Sequence, residues 1–198
     1  FFSGYDCDSL AFEKISNFTK PCLDFFAKQP MAELELRTKS INTGSLLSRD
    51  PIKNCIVAFS LSPEKIANVL DCKAPSVTKR IIALKQLMQA GWSVGIRFDP
   101  LIYCTNWETM YSELISNIMT DTDLSKLHSV SFGPLRYPKA MYKKVIELYP
   151  ESKLLSFPME KIGGIISYGP EIEKKMSEFM RRELSKHLTE NKIFHCVS

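Results

Sequence analysis

The sequence predicts an α/β protein, a partial (β/α) barrel whose mostly parallel sheet is covered by helices. Four short apolar runs, each followed by a helical pattern, support this prediction; they lie within residues 33–40, 55–63, 92–100 and 129–138. Short apolar strands that alternate with helices are typical of a parallel sheet. The carboxyl ends of parallel strands meet at one edge, so polar residues that follow these runs should lie together.

The composition is that of an ordinary globular protein. The chain has 198 residues, of which 44% are hydrophobic and 24% charged, and its net charge is +4. This length suits one domain, which we divide into the barrel over 1–155 and a carboxy-terminal helix-strand extension over 156–198. A mild positive charge permits contact with nucleic acid without requiring it. No apolar run approaches the ~18 residues of a membrane helix, so we expect no membrane partner.

The reactive side chains point to a reduced protein without its own metal site. None of the six cysteines pairs at C-x-x-C spacing, which favours free thiols and a cytoplasmic location. The three histidines have no metal-ligand spacing to other ligands. The sequence begins with Phe1 rather than Met, which we expect of a piece of a longer protein.

Apolar spacing and breaking residues define the elements of the first half. Alternating Leu and charged residues in the second strand are typical of a position near the sheet edge, whereas a continuous apolar run indicates a buried strand. The predicted elements are an opening strand in 1–4, a helix from Thr19 to before Pro30, a strand over 33–38, a short helix within 41–52 and a buried strand over 55–61.

The second half continues the alternation and then becomes turn-rich. Gly91 ends a helix with an apolar stripe from Val77 to Met88, and Asn106 is predicted to cap the helix that follows the third run. The other predicted elements are a short helix from Glu64, strands over 92–100 and 129–132, a helix from Pro138, a strand over 153–157, a turn-rich unit between 163–164 and 169–170, a helix over 172–184 and a last strand over 193–197.

Polar residues stand at the predicted strand ends. Lys39 is suited to a ligand carboxylate or to a solvated loop, and Ser60 to a ligand hydrogen bond or to capping the next helix. Asp99 follows a buried strand and needs a ligand or a salt bridge to Arg97 or Arg136, of which the salt bridge is slightly favoured.

A cation and an aromatic ring stand side by side at the end of the fourth run. Arg136 and Tyr137 suit stacking and phosphate contact, or the packing of a loop.

Several of these strand ends, taken in order, resemble the spore photoproduct lyase family of radical S-adenosylmethionine enzymes. The resemblance covers about residues 4–155, and its tail is looser. The matching segments are 6–11, 36–40, 58–62, the helix over 79–91, 97–103, Trp107 with Tyr111, and Tyr149 with Pro150.

The resemblance implies a partial barrel that holds S-adenosylmethionine beside a 4Fe–4S cluster. Reductive cleavage of that cofactor yields a 5′-deoxyadenosyl radical, which abstracts hydrogen from a thymine dimer lesion in DNA. By matched position, Lys39 and Ser60 contact the methionine end or the ribose of the cofactor, and Cys7 replaces a cofactor-contacting serine. Asp99, Arg136 and Tyr137 would then face the substrate.

The sequence departs from the family pattern at three places. It lacks the C-x-x-x-C-x-x-C cluster motif, which we expect upstream of Phe1. The hydrogen-donor cysteine of the family aligns with Tyr5, so either Cys7 donates after a register shift or the Tyr5 phenol relays the radical. Residues 161–166 replace the basic, aromatic segment with which the family's lyases grip the lesion. This replacement weakens the case for DNA dimers as the substrate and fits better with membership of the broader lyase-like group.

Two other functions stay open at this point. A non-catalytic nucleic-acid-binding or interaction module would keep the half-barrel without the cluster and use Arg37, Arg97 and Arg136. Another (β/α) enzyme is the third possibility, with site residues that lie outside this sequence.

Overall fold

A computed structural model describes residues 1–3, 7–120, 122–152, 157 and 159–196, which form nine strands and eight α-helices. The strands are β1 (Phe2–Ser3), β2 (Leu34–Thr38), β3 (Cys55–Ser60), β4 (Ser93–Leu101), β5 (Leu127–Pro134), β6 (Tyr137–Pro138), β7 (Glu160–Ile162), β8 (Ile165–Ser167) and β9 (Ile193–His195). The helices are α1 (Glu13–Ser16), α2 (Thr19–Phe26), α3 (Gly44–Leu47), α4 (Glu64–Leu70), α5 (Val77–Gln89), α6 (Trp107–Met119), α7 (Lys139–Leu148) and α8 (Pro170–Ser185).

Six strands form one sheet in the order β1-β2-β3-β4-β5-β9, and every neighbouring pair is parallel. The α/β class and the mostly parallel sheet are therefore confirmed. The pairing also fixes which ends meet, because Thr38 lies opposite Phe59, and Ser60 opposite Arg97. The carboxyl ends of β2, β3 and β4 consequently share one edge.

The two faces of the sheet differ in polarity because side chains alternate along each strand. One face carries fully buried Leu36, Phe59 and Phe98, and α5 and α8 pack against the strands. The other face, which we call the polar face, carries charged and hydroxyl side chains. These are Glu35, Arg37, Ser60, Arg97, Asp99, Ser129 and Ser131. The predicted near-edge strand β2 lies one place in from β1. On the polar face, its Glu35 is buried and its Arg37 is half-buried.

The chain leaves the parallel sheet after β5 and returns to it only at β9. Between them, β6, β8 and β7 form a small antiparallel sheet, whose tight turn uses Gly163 at φ +60°. The amphipathic helix α8 then leads back to β9, which pairs with β5. The strand predicted over 153–157 falls outside the described residues except for Phe157.

The prediction that the Asn106 side chain caps the helix after the third run was wrong. Asn106 precedes α6, but its side chain makes no capping hydrogen bond. Its backbone instead takes the left-handed conformation at φ +60°, which asparagine tolerates better than most residues. Among the described residues, no helix has both the length and the apolar character required to cross a membrane.

Candidate functional site

The shared edge of β2, β3 and β4 opens into a cavity of about 170 Å³. Four predicted site residues line it: Lys39, Ser60, Asp99 and Tyr137. The other lining residues are Leu61, Ser62, Ile66, Leu70, Asp71, Pro100, Ile102 and Leu135. Residues far apart in sequence therefore meet at one site because parallel strands end there.

The Asp8 carboxylate fixes the backbone at Lys39. It accepts hydrogen bonds from the Lys39 N–H at 2.6 Å, the Thr38 hydroxyl at 2.7 Å and the Leu10 N–H at 2.9 Å. The segment after β1 is thereby joined to the end of β2. The Lys39 side chain remains 43% exposed, so a ligand can reach its ammonium group.

The Lys39 ammonium contacts a buried ionic cluster. Lys39 Nζ donates to Asp71 Oδ1 at 2.5 Å, and Arg80 Nη1 donates to Asp71 Oδ2 at 2.8 Å. Arg80 also donates to the carbonyls of Ser60 at 3.3 Å and Pro75 at 2.9 Å. Neither Asp71 nor Arg80 is among the site residues predicted from the sequence. Arg80 had a detectable signal, because it falls on the apolar stripe of α5 between Val77 and Leu84.

Ser60 is the last residue of β3 and is buried at the edge of the cavity. The alternative role predicted for the Ser60 hydroxyl is to cap the next helix. The structure does not support capping, because α4 begins after Pro63 and has no side-chain cap. The position of Ser60 thus agrees better with a ligand-facing hydroxyl.

The favoured salt bridge of Asp99 is absent among the described residues. Arg97 instead pairs with Glu35, with Nη2 to Oε2 at 2.7 Å and Nε to Oε1 at 3.2 Å. The Arg97 side chain lies back over Gly95, where a Cβ atom would stand 2.7 Å from Nη2. This orientation directs the guanidinium away from the carboxyl end of β4. Glu35 is not among the site residues predicted from the sequence.

Burial determines the protonation behaviour of Asp99. It raises the pKa of this carboxyl group, and the positive charges of Arg37, Arg136 and Arg97 offset the increase only in part. A half-buried carboxyl group with a raised pKa at a cavity edge is a candidate for ligand contact.

The side chains of Tyr137 and Arg136 lie in different places although the two residues are adjacent in sequence. Tyr137 is buried and lines the cavity, and its ring lies 5.8 Å from that of Tyr142. Arg136 does not line the cavity. It approaches Gly133 instead, where a Cβ atom would stand 3.4 Å from Arg136 Nη2.

Of the two candidate hydrogen donors, the structure describes only Cys7. Cys7 is exposed and does not line the cavity, although its neighbour Asp8 binds the end of β2. Tyr5 lies outside the described residues. Within the part of the chain that the structure describes, no cluster of three Cys, His, Asp or Glu side chains is arranged to hold a metal ion.

Comparison with known proteins yields one consistent family. The family model for spore photoproduct lyase matches residues 1–195. The spore photoproduct lyase of Clostridium acetobutylicum is 21% identical over 165 residues, which are 82% of this chain and 47% of the relative. That of Bacillus subtilis is 20% identical over 149 residues, which are 74% and 44% of the two chains. The chain thus spans about half the length of these relatives.

Solved structures of the same enzyme share the fold. A mutant spore photoproduct lyase with the dinucleoside spore photoproduct superposes with a TM-score of 0.84 at 20% identity, covering 98% of this chain and 60% of that one. Another mutant, with bound AdoMet and the same dinucleoside, gives a TM-score of 0.80 at 19% identity, covering 98% and 59%. At this identity the likeness shows the fold alone.

Proposed function

The chain belongs to the spore photoproduct lyase family, and on this premise we propose that it is the cofactor-binding part of a radical S-adenosylmethionine enzyme that acts on damaged DNA. The cavity at the ends of β2, β3 and β4 carries the proposal, because it gathers a lysine, a serine, an aspartate and a tyrosine around one small volume. The proposed division of the chain places 1–155 in the barrel and 156–198 in the extension, and the proposed location is cytoplasmic.

The residues around the cavity fit the chemistry of S-adenosylmethionine. A lysine ammonium suits the methionine carboxylate, and a serine hydroxyl suits the ribose. Apolar Ile66, Leu70 and Ile102 line the cavity and also an adjoining groove of about 280 Å³. The two spaces together fall within the roughly 300–1,000 Å³ that is usual for small-molecule sites. When bound to a cluster, this cofactor supplies a 5′-deoxyadenosyl radical for hydrogen abstraction.

The residues do not fit a 4Fe–4S cluster. The cysteines stand at positions 7, 22, 55, 72, 104 and 196, with none of the spacing that three cluster thiolates need. We therefore assign no cluster ligand to this chain and propose that the ligands lie outside these 198 residues.

Each predicted residue has a proposed task. Lys39 binds the carboxylate and Ser60 the ribose, while Asp99 and Tyr137 contact the substrate across the cavity. Arg136, whose guanidinium group lies near Gly133, suits a substrate phosphate. Cys7 stays a candidate cofactor contact and hydrogen donor.

Binding of S-adenosylhomocysteine, a stable analogue, tests the cofactor assignment by isothermal titration calorimetry on the full chain. Lys39→Met should weaken binding by about 10- to 100-fold, the value of a hydrogen bond to a charged group. Lys79→Met, on the exposed side of α5, is the matched control and should bind like the wild type. A wild-type chain that does not bind, or equal losses in both variants, would contradict the assignment.

The nucleic-acid-binding module is the weaker alternative. It relied on Arg37, Arg97 and Arg136, but Arg37 and Arg97 both pair with the Glu35 carboxylate. Their charges are therefore partly neutralised within the polar face, which leaves less for a phosphate backbone.

A further inference from the structure

We propose, building on the function proposed above, that buried Arg80 is a positioning residue that balances Asp71 and so leaves the Lys39 ammonium available to a ligand carboxylate. Arg80 does not line the cavity. It would act through Asp71, which does line it and which contacts Lys39 directly.

The geometry of the cluster assigns one carboxylate oxygen to each cation. Asp71 Oδ1 accepts from Lys39 Nζ at 2.5 Å, and Oδ2 accepts from Arg80 Nη1 at 2.8 Å. The side chain of Asp71 is 7% exposed and that of Arg80 is 1% exposed, whereas that of Lys39 reaches solvent. The buried half of the cluster is therefore fixed, and the accessible half is the lysine.

The charge balance gives this arrangement its consequence. Two cations and one anion leave the cluster with a surplus positive charge, and the surplus is presented at Lys39. Without Arg80, the Lys39–Asp71 pair would be neutral, and an incoming carboxylate would both compete with Asp71 and be repelled by it. Because the cluster is partly buried, water screens these interactions less than it would at the surface.

Hydrogen bonds to two separate backbone segments hold the Arg80 guanidinium group in place. Its Nε donates to the Pro75 carbonyl before α5, and its Nη1 donates to the carbonyl of Ser60 at the end of β3. One guanidinium group thus connects both proposed cofactor contacts, Ser60 directly and Lys39 through Asp71. The fixed fork of arginine donors serves this task better than the single ammonium of lysine.

The test compares two ligands that differ only in the carboxylate. S-adenosylhomocysteine and its decarboxylated form, which keeps the adenosine, thioether and amine, are titrated calorimetrically into the full chain. Arg80→Met should weaken S-adenosylhomocysteine by about tenfold or more, the scale of a charged hydrogen bond, and should weaken the decarboxylated ligand much less. The double variant Asp71→Asn with Arg80→Met should recover most of the lost affinity, because Lys39 again carries a surplus positive charge.

Controls separate this role from a structural one. Arg49→Met removes a surface ion pair with Asp24 and should change neither affinity. Should Arg80→Met fail to fold by circular dichroism, Arg80→Gln, which keeps donors without charge, takes its place with the same expected outcome.

The results distinguish a failure of the proposed function from a failure of charge compensation by Arg80. A wild-type chain that binds neither ligand contradicts the proposed function itself. Binding of both ligands, with equal losses in the Arg80 variant or with no recovery in the double variant, contradicts charge compensation alone.

Discussion

Replacing Glu35 with glutamine should destabilise the fold, because Glu35 is the anion that balances the arginines of the polar face. Glu35 is 6% exposed and accepts hydrogen bonds from Arg97 at 2.7 and 3.2 Å and from Arg37 at 3.1 Å. Removing one partner of a buried ion pair costs about 3–5 kcal/mol. Arg97 keeps hydrogen bonds to Ser129 and to the Ile96 carbonyl, and glutamine keeps an acceptor. A smaller cost, about 2–4 kcal/mol, is therefore expected.

The pH dependence gives this prediction a second signature. Burial raises the pKa of Glu35, but the hydrogen bonds and charges of Arg97 and Arg37 outweigh burial and lower the pKa below its usual 4.5. A folded pKa below the unfolded one means that the ionised form stabilises the fold above the unfolded pKa. That stabilisation is lost as the pH falls through the folded pKa. The difference between wild type and Glu35→Gln should thus be full at neutral pH and shrink under acidic conditions.

Urea unfolding followed by circular dichroism measures both quantities. Glu33→Gln is the matched control, since Glu33 precedes β2 and is exposed; its free energy of unfolding should stay within about 0.5 kcal/mol of wild type. A Glu35 variant as stable as this control would refute the reasoning. So would a loss of stability that stays constant from neutral pH to below pH 4.5.

Two further changes test how the site is supported. Gly95→Ala places a methyl group within 2.7–2.9 Å of the Arg97 guanidinium, so the free energy of unfolding should fall by about 1–3 kcal/mol; an unchanged urea midpoint would show that Arg97 has room to move. Tyr111→Phe leaves the buried Ile102 N–H, now bonded to the tyrosine oxygen at 3.0 Å, without its acceptor; thermal unfolding should show a loss of about 1–3 kcal/mol, and a stability equal to wild type would contradict it.

The order of elements was predictable because the strongest signals were local. A continuous apolar run predicted β3, a shorter apolar run predicted β4, and breaking residues such as Gly91, with its φ of +92°, marked the helix ends. The meeting of Lys39 and Ser60 at one cavity then followed from parallel topology, since parallel strands end at a common edge.

The charge pairing could not be predicted in the same way. Alternating charged and apolar residues in β2 have the same pattern whether the charged face meets solvent or a polar interior, so Glu35 gave no distinct signal. Asp71 is a single carboxylate just after a short helix, and only the packing of α5 shows that it meets Arg80. The absence of Arg136 from the cavity has a simpler origin. Leu135 and Tyr137 both line the cavity, as expected for residues two apart in extended chain, and the residue between them points elsewhere.

The segment between β5 and β9, which leaves the parallel sheet, can change in length without changing the rest of that sheet. Both ends of the excursion lie at one edge of the parallel sheet, so changes in its length need not disturb the register of the strands before it. Yet it contributes Tyr137 to the cavity that Lys39 and Ser60 also line. Insertions or deletions in this excursion can therefore change one part of the cavity lining and leave unchanged the part that β2 and β3 supply. New substrates could be acquired without rebuilding the part that we propose to hold the nucleoside ligand.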